Sequence, residues 1–327
     1  MRAMVCSAFG DPETLEIKEL PAPELRADSV RIKTVAAGVN FADRLLVEGK
    51  YQLKPPFPFI PGLEASGTVV EVAAGVTNLK PGDRVMAMND YGMYAGQVVV
   101  PATHAIVIPD GMDWITAAGF SIAYGSSFAA LAWRAALKPG ETLVVLGAAG
   151  GVGSAAVEIG RAMGANVIAA VSTEEKAEIA RRHGAHQVIN YSVEDLRERV
   201  KALAGGADVV FDPIGGELFD AALRVVNWEG RIIVVGFAGG RIQPVPANIL
   251  LVKNISCIGF FWGLYRSRDP KQVHAAFAQL FEWWREGKLK PLVSRRFDLG
   301  QAATAMEMLS SRRSTGKIVL TIDPGQA

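Results

Sequence analysis

Over the first hundred residues the apolar positions come in short runs, at 4–8, 30–37, 65–72, 84–88 and 95–100, separated by glycine and proline. Pro21, Pro23, Pro55, Pro56, Pro58, Pro61, Pro81 and Pro101 exclude long helices from this stretch. Lys80-Pro81-Gly82-Asp83 is a turn signal. Short strands at this spacing predict a barrel-like β domain. Near residue 114 the pattern changes. Residues 115–133 read as a helix with Ala117, Ala118 and Ile122 on one side. The run at 142–146 is continuously apolar, as a strand buried on both faces must be. Ala156, Ile159 and Met163 set a helical rhythm over 153–163. Strands at 166–171, 187–191, 208–211 and 231–236 then alternate with helices at 174–183, 193–203 and 219–226. This order implies a parallel, doubly wound sheet. A strand at 254–260, a helix at 273–286, and strands at 295–297 and 317–322 around a helix at 300–309 complete the chain. The last strands are expected to rejoin the first domain.

The chain has 327 residues, enough for two domains, and half are hydrophobic, enough for sizeable cores. The 34 basic and 33 acidic side chains nearly balance, so charge gives no reason to expect nucleic acid or an anionic membrane as partner. The two cysteines, Cys6 and Cys257, make neither a disulfide framework nor a four-cysteine zinc lobe. Both are expected to be buried small apolar residues. With no basic segment leading into an apolar run at the N-terminus, and no apolar span of about 20 residues, a cytoplasmic location is the default expectation.

The strongest chemical signal is Gly147-Ala148-Ala149-Gly150-Gly151-Val152-Gly153, which follows a predicted strand and opens a predicted helix. A dinucleotide pyrophosphate needs close access to backbone N–H groups and to the positive end of a helix dipole. Side chains at Gly151 or Gly153 would obstruct that approach or the packing of helix on strand. Ala149, Gly150, Gly151 and Val152 are therefore candidate cofactor contacts. An NAD site usually carries Asp or Glu at the end of the next strand, on the ribose 2′-OH. Here Val171 is followed by Ser172 and Thr173, which leave room for a 2′-phosphate. Lys176 and Tyr191 are placed to contact that phosphate, so NADPH is the expected cofactor. Glu174 is the dissenting residue: aimed at the ribose, it would revert the preference to NADH.

Further segments carry a family resemblance: Ala36-Ala37-Gly38-Val39-Asn40-Phe41-Ala42-Asp43, Pro61-Gly62-Leu63-Glu64-Ala65-Ser66-Gly67, Lys80-Pro81-Gly82-Asp83-Arg84-Val85 and Ser314-Thr315-Gly316-Lys317. With the glycine loop, they make the chain resemble the quinone oxidoreductase group of the medium-chain dehydrogenases/reductases over essentially its whole length. The resemblance implies an α/β chain: a GroES-like β-rich catalytic domain of residues 1–121 and 292–327, and an inserted Rossmann doubly wound parallel-sheet domain of residues 122–291. It also implies a homodimer, with residues 254–260 resembling the dimer-forming edge strand. Zinc-dependent relatives place a cysteine where this chain has Asn40 and a histidine where it has Leu63. Neither residue supplies thiolate or imidazole, and His104, His183, His186 and His274 show no ligand spacing, so no metal is expected. His183 and His186 are expected to face solvent.

Without a metal to polarise a carbonyl, an activated acceptor such as a quinone or an α,β-unsaturated carbonyl fits best. The resemblance places Asn40 near the nicotinamide ribose and substrate, with Asp43 orienting it. Tyr51 is the candidate phenol for binding or protonating the substrate oxygen; its alternative role is loop packing. Ser126, read as beginning a helix, resembles the hydroxyl residue that touches the nicotinamide, or else caps that helix. Gly236 and Phe237 end a strand of the sheet, where such folds bind ligands. Phe261 is a wall of the nicotinamide pocket or part of a dimer core. Lys317 resembles the basic residue that reaches the cofactor, or is an ordinary strand-edge lysine. Trp283 and Trp284 are expected to pack in a core or interface. The expected reaction is NADPH-dependent reduction of a quinone. The alternatives are an enoyl or enal reductase, with Arg266 and Arg268 as a basic cluster for an acyl-CoA, and an NADPH-binding protein with little catalysis, structural or RNA-binding.

Overall fold

The computed structural model describes residues 1–311 and 313–326; of the predicted C-terminal catalytic piece, Arg312 and Ala327 lie outside the described residues. The strands in chain order are β1 (Arg2–Val5), β2 (Glu16–Glu19), β3 (Ser29–Val39), β4 (Glu64–Val72), β5 (Arg84–Met88), β6 (Gln97–Pro101), β7 (Ala105–Val107), β8 (Thr142–Leu146), β9 (Asn166–Val171), β10 (Gln187–Asn190), β11 (Ala207–Asp212), β12 (Val226–Val234), β13 (Ser256–Gly259), β14 (Val293–Asp298) and β15 (Lys317–Thr321). The chain forms two compact units. One comprises Met1–Ile122, Gly263–His274 and Pro291–Ala327, the other Ala123–Trp262 and Ala275–Lys290.

The first unit is the β-rich one. Its main sheet runs β14-β15-β3-β4-β5-β7, with β6 also paired to β3. Only β14 and β15 pair in parallel; the other pairings are antiparallel. Its core gathers Val30, Ile32, Val39, Val69, Val85, Ile318 and Leu320. The C-terminal β15 thus lies against β3, with Ile318 opposite Val39, and this register sets Lys317 beside the start of the helix Phe41–Val47.

The second unit holds a six-stranded sheet ordered β10-β9-β8-β11-β12-β13, parallel throughout. Numbered within the sheet, the order is 3-2-1-4-5-6, that of a dinucleotide-binding doubly wound fold. Strands buried on both faces need apolar residues throughout, and β8 and β9 supply them: Leu143 to Leu146 and Val167 to Val171 are all buried.

Several elements depart from the sequence pattern. The helix expected over 115–133 is broken. Asp113 caps a short helix, Trp114–Ala118, by accepting from the Thr116 N–H, and Gly119 ends it. A second helix, Ser121–Phe128, continues into the π-helical stretch Ala129–Arg134. Glycine's backbone entropy makes it the weak point of that run. The helix expected from 193 starts instead at Leu196, because the Asp195 carboxylate accepts from the Glu198 N–H at 2.8 Å and fixes the N-terminus there. β12 ends at Val234, so Gly236 and Phe237 lie in the following loop.

His183 does not face solvent. It caps the helix Glu174–Arg182, and its Nδ1 lies 2.6 Å from the buried Glu158 carboxylate. That carboxylate also accepts from the Tyr124 hydroxyl at 2.7 Å and the Lys290 N–H at 3.0 Å. A buried carboxylate must collect donors, which draws the imidazole inward. His186 stays exposed, accepting from the Val167 N–H at 2.9 Å. Cys6 is buried and Cys257 half-buried, both as free thiols. Trp283 packs its ring 5.8 Å from that of Phe128.

Candidate functional site

In the second unit, the glycine loop joins β8 to the twelve-residue helix Gly151–Ala162, with Gly150 at its N-cap. Helix geometry leaves the N–H groups of Gly151, Val152 and Gly153 without intrahelical acceptors. Gly147 turns the chain with φ +62°, a conformation costly for other residues. A Cβ at Gly153 would lie 2.2 Å from the Gly147 carbonyl oxygen, so only glycine lets the helix start this close to the strand. The loop is tied down twice: the Ala148 N–H donates to the Ala170 carbonyl at 3.1 Å, and the Ser127 hydroxyl to the Val152 carbonyl at 2.8 Å. Ser127 was not legible from the sequence. Its neighbour Ser126 is buried within the helix Ser121–Phe128 and neither begins nor caps it.

The end of β9 gathers three predicted residues. The Lys176 ammonium lies 3.2 Å from the Ser172 hydroxyl. The Tyr191 N–H donates to the Val171 carbonyl at 3.0 Å, and the Ser192 hydroxyl to the Ser172 carbonyl at 2.8 Å. Glu174 takes no part in this cluster: its carboxylate accepts from Arg181 at 2.7 Å on the exposed helix face.

At the end of β11 the sequence reading missed Asp212. It is fully buried, and its Oδ1 accepts from the N–H groups of Ile214 and Gly215, each at 2.8 Å. Burial pushes its carboxyl up to about 6, against the pull of those two N–H groups. The only sequence signal was an aspartate just ahead of the Gly215-Gly216 pair. A Cβ at Gly215 would stand 3.2 Å from the Phe237 ring, which places Phe237 beside this turn. Phe261 follows β13 with 43% of its surface exposed.

In the first unit, Asn40, Asp43 and Lys317 meet. Asn40 is the N-cap of Phe41–Val47, and its N–H donates to Asp43 Oδ2 at 2.7 Å. Asp43 Oδ2 also accepts from the Tyr94 hydroxyl at 2.9 Å. Asp43 is fully buried, and desolvation pushes its carboxyl up to about 7 in spite of these donors and of Lys317. The Lys317 ammonium donates to Glu64 Oε1 at 2.6 Å, Asn40 Oδ1 at 2.7 Å and the Val39 carbonyl at 3.1 Å. Glu64, also fully buried, accepts in addition from Asn40 Nδ2 at 3.0 Å, the Ser121 hydroxyl at 2.7 Å and the Ile122 N–H at 2.8 Å.

Tyr51 packs against the core of this unit. Burial, with the Asp43 charge, pushes its phenol up to about 12, so it stays protonated through the neutral range. Arg266 is buried and paired with Asp90, so it is not half of an open basic cluster with Arg268. Among the described residues no group of three or more His, Cys, Asp or Glu side chains could hold a metal ion. The donor set does not fit zinc at Asn40 either. Leu63, where zinc-dependent relatives place a histidine, is aliphatic, and an ammonium already stands 2.7 Å from the Asn40 amide oxygen.

A Rossmann sheet in one unit and a GroES-like β sheet in the other, with a glycine loop of this geometry, define a dinucleotide-dependent dehydrogenase fold. Residues 26–110 match the alcohol dehydrogenase GroES-like domain, and residues 151–281 match the zinc-binding dehydrogenase family. The chain is 40% identical to a quinone oxidoreductase-like protein 2 homolog from Nematostella vectensis, over 98% of this chain and 88% of that one. It superposes on the quinone oxidoreductase of Thermus thermophilus, described with its NADPH complex, with a TM-score of 0.87 at 33% identity, over 98% and 100% of the two chains. On the NADPH-complexed quinone oxidoreductase of Escherichia coli the TM-score is 0.92 at 29% identity, again over 98% and 100%. The chain belongs to the medium-chain dehydrogenase/reductase family, in its quinone oxidoreductase-like branch.

Proposed function

We propose that the chain is a zinc-independent NADPH-dependent reductase whose acceptor is a quinone. The observation that carries this reading is the Lys176 ammonium held against the Ser172 hydroxyl, with Glu174 drawn away to Arg181. This arrangement suits a 2′-phosphate and removes the carboxylate that would favour NADH. The first-turn N–H groups of Gly151, Val152 and Gly153 would receive the pyrophosphate, with Ala149 and Gly150 shaping the loop. Tyr191 would border the phosphate, while Ser126, Gly236, Phe237 and Phe261 would flank the nicotinamide.

When bound, the nicotinamide supplies a hydride. The chain's own groups bind and orient the acceptor: the Asn40 amide is a neutral donor for the developing oxyanion, and the Tyr51 phenol holds its proton at neutral pH. Asp43 fixes the Asn40 backbone. The quinone-related names of similar proteins support the acceptor class. The pairing of Arg266 with Asp90 weighs against a basic groove for an acyl-CoA.

A second copy of the chain is the partner this reading carries. β13 is the outer strand of its sheet, and Leu251 and Val252 on the helix Ala247–Lys253 are exposed. An outer strand and exposed aliphatic side chains are features that such pairing would bury.

The test is NADPH oxidation with a para-quinone, an ortho-quinone, an enone, an enal and an acryloyl thioester, with NADH in parallel and zinc content measured. Turnover of quinones with NADPH, and less than stoichiometric zinc, is expected. Preference for the C=C acceptors would reassign the chemistry, and silence despite tight NADPH binding would favour a binding role. Light scattering at several concentrations tests the dimer.

A further inference from the structure

The Asn40 side chain is held at both ends by partners that cannot exchange roles. A lysine ammonium can only donate, and a carboxylate can only accept. Lys317 therefore requires the amide oxygen, and Glu64 the amide nitrogen. Turning the amide over would set its oxygen against the Glu64 carboxylate and its NH₂ against the ammonium. The ammonium has three hydrogens, and Val39, Asn40 and Glu64 take all three. No donor remains for a phosphate or a substrate oxygen. Glu64 is likewise saturated, with two donors on each carboxylate oxygen. The Asn40 NH₂ has a second hydrogen that neither partner uses.

From this geometry we infer that Lys317 is a positioning residue that acts through Asn40 and does not touch the cofactor. Together with Glu64 it fixes the amide so that the spare N–H, not the carbonyl, faces the substrate oxygen. The inference rests on the proposed role of Asn40 as oxyanion donor. A neutral donor is useful there only if its orientation is set beforehand, and the buried ion pair sets it without presenting a full charge to the substrate.

The experiment compares wild type, Lys317→Met, Asn40→Ala and Lys317→Met/Asn40→Ala. NADPH affinity is measured by fluorescence titration, and kcat and KM with the preferred quinone. Lys317→Met is expected to leave the NADPH Kd within about twofold and to lower kcat on the order of 10- to 100-fold. That loss should vanish in the Asn40→Ala background. A large rise in NADPH Kd, or losses that simply multiply in the double variant, would overturn the inference. If burial of an unpaired Glu64 unfolds Lys317→Met, Lys317→Met/Glu64→Gln carries the same measurements without a lone charge. If wild type turns over none of the acceptors, the proposed function fails separately. The inference is then decided by ¹⁵N NMR of the Asn40 side-chain amide, identified by its loss in Asn40→Ala. Faster solvent exchange of that amide on removing Lys317 supports the positioning role, and an unchanged signal refutes it.

Discussion

The Lys176 ammonium lies 3.2 Å from the Ser172 hydroxyl, one helical turn apart at the C-terminal end of β9. The contact is set by the backbone: Thr173 caps the helix by accepting from the Lys176 N–H at 3.2 Å, which orients the first turn over the strand end. Glu174, on the same turn, is held by Arg181. A cation and a hydroxyl converge at the strand end where an NAD-binding fold usually carries a carboxylate.

Replacing Lys176 with alanine should therefore discriminate between cofactors. NADPH binding is expected to weaken by about tenfold, the worth of one charge-assisted hydrogen bond at a partly exposed site. NADH binding should change by no more than about twofold, since it lacks the phosphate. Fluorescence titration of both cofactors on one preparation checks this, and equal losses would remove the phosphate role of Lys176.

Gly151 opens the helix after the glycine loop. A valine there adds a branched side chain where, on the proposed reading, a pyrophosphate would approach the first-turn N–H groups. Gly151→Val is expected to lose measurable dinucleotide binding while its thermal midpoint stays within roughly 4 °C of wild type. Retained NADPH affinity in a folded variant would contradict the assignment of this loop.

Sequence pattern exposed the doubly wound sheet well, because strands buried on both faces, such as β8 and β9, must be continuously apolar. It exposed the glycine loop for a related reason, since Gly153 cannot carry a Cβ next to the Gly147 carbonyl. What it could not show are contacts between residues distant in the chain. The pairing of Lys317 with Glu64 crosses 253 positions and depends on β15 lying against β3. Ser127 could not be told from its neighbour Ser126 without the register of the helix Ser121–Phe128, and Gly119 broke the longer helix that would have set that register. His183 read as solvent-facing because nothing local announced a buried carboxylate 25 residues earlier.

Ser127 gives a prediction of its own. Its hydroxyl donates to the Val152 carbonyl within the glycine loop at 2.8 Å. Ser127→Ala removes that bond, and a net loss of about 0.5–1.5 kcal/mol is expected. The thermal midpoint should fall by roughly 2–4 °C, and NADPH affinity should drop several-fold as the loop loosens. A variant with lowered stability but wild-type affinity would show that the bond supports the helix and not the loop.

Tyr51→Phe separates a proton donor from a packing aromatic. The ring is kept, so contacts with the core of the unit survive and stability should stay within about 1 kcal/mol. If the phenol stabilises the reduced acceptor, kcat should fall on the order of 10²-fold with little change in KM. Because burial holds the phenol near 12, wild-type kcat should show no loss from phenol ionisation between pH 7 and about 10. Unchanged kcat in Tyr51→Phe would leave the residue a packing role only.

Asp43 should make its own mark on stability. Burial raises its folded value to about 7 from an ordinary value of 3.8, with one oxygen bonded to the Asn40 N–H and the Tyr94 hydroxyl and the other without a partner. Between those values the folded protein keeps a proton that the unfolded chain has released. Stability changes with pH in proportion to the protons bound by the unfolded state minus those bound by the folded state. That difference is negative here, so the contribution is fully present below about 3.8 and is lost as pH rises through about 7. Asp43→Asn cannot titrate and keeps an oxygen to accept both hydrogen bonds. Its lost and altered contacts add an offset that does not vary with pH. The variant should therefore gain on wild type as pH rises from 5 to 8, whatever that offset, because every other titrating group is common to both proteins. Urea midpoints measured at pH 5, 6, 7 and 8 check the trend. A constant difference across the series would mean that Asp43 is already ionised in the folded protein at pH 5, held by Tyr94, Asn40 and Lys317 against the cost of burial.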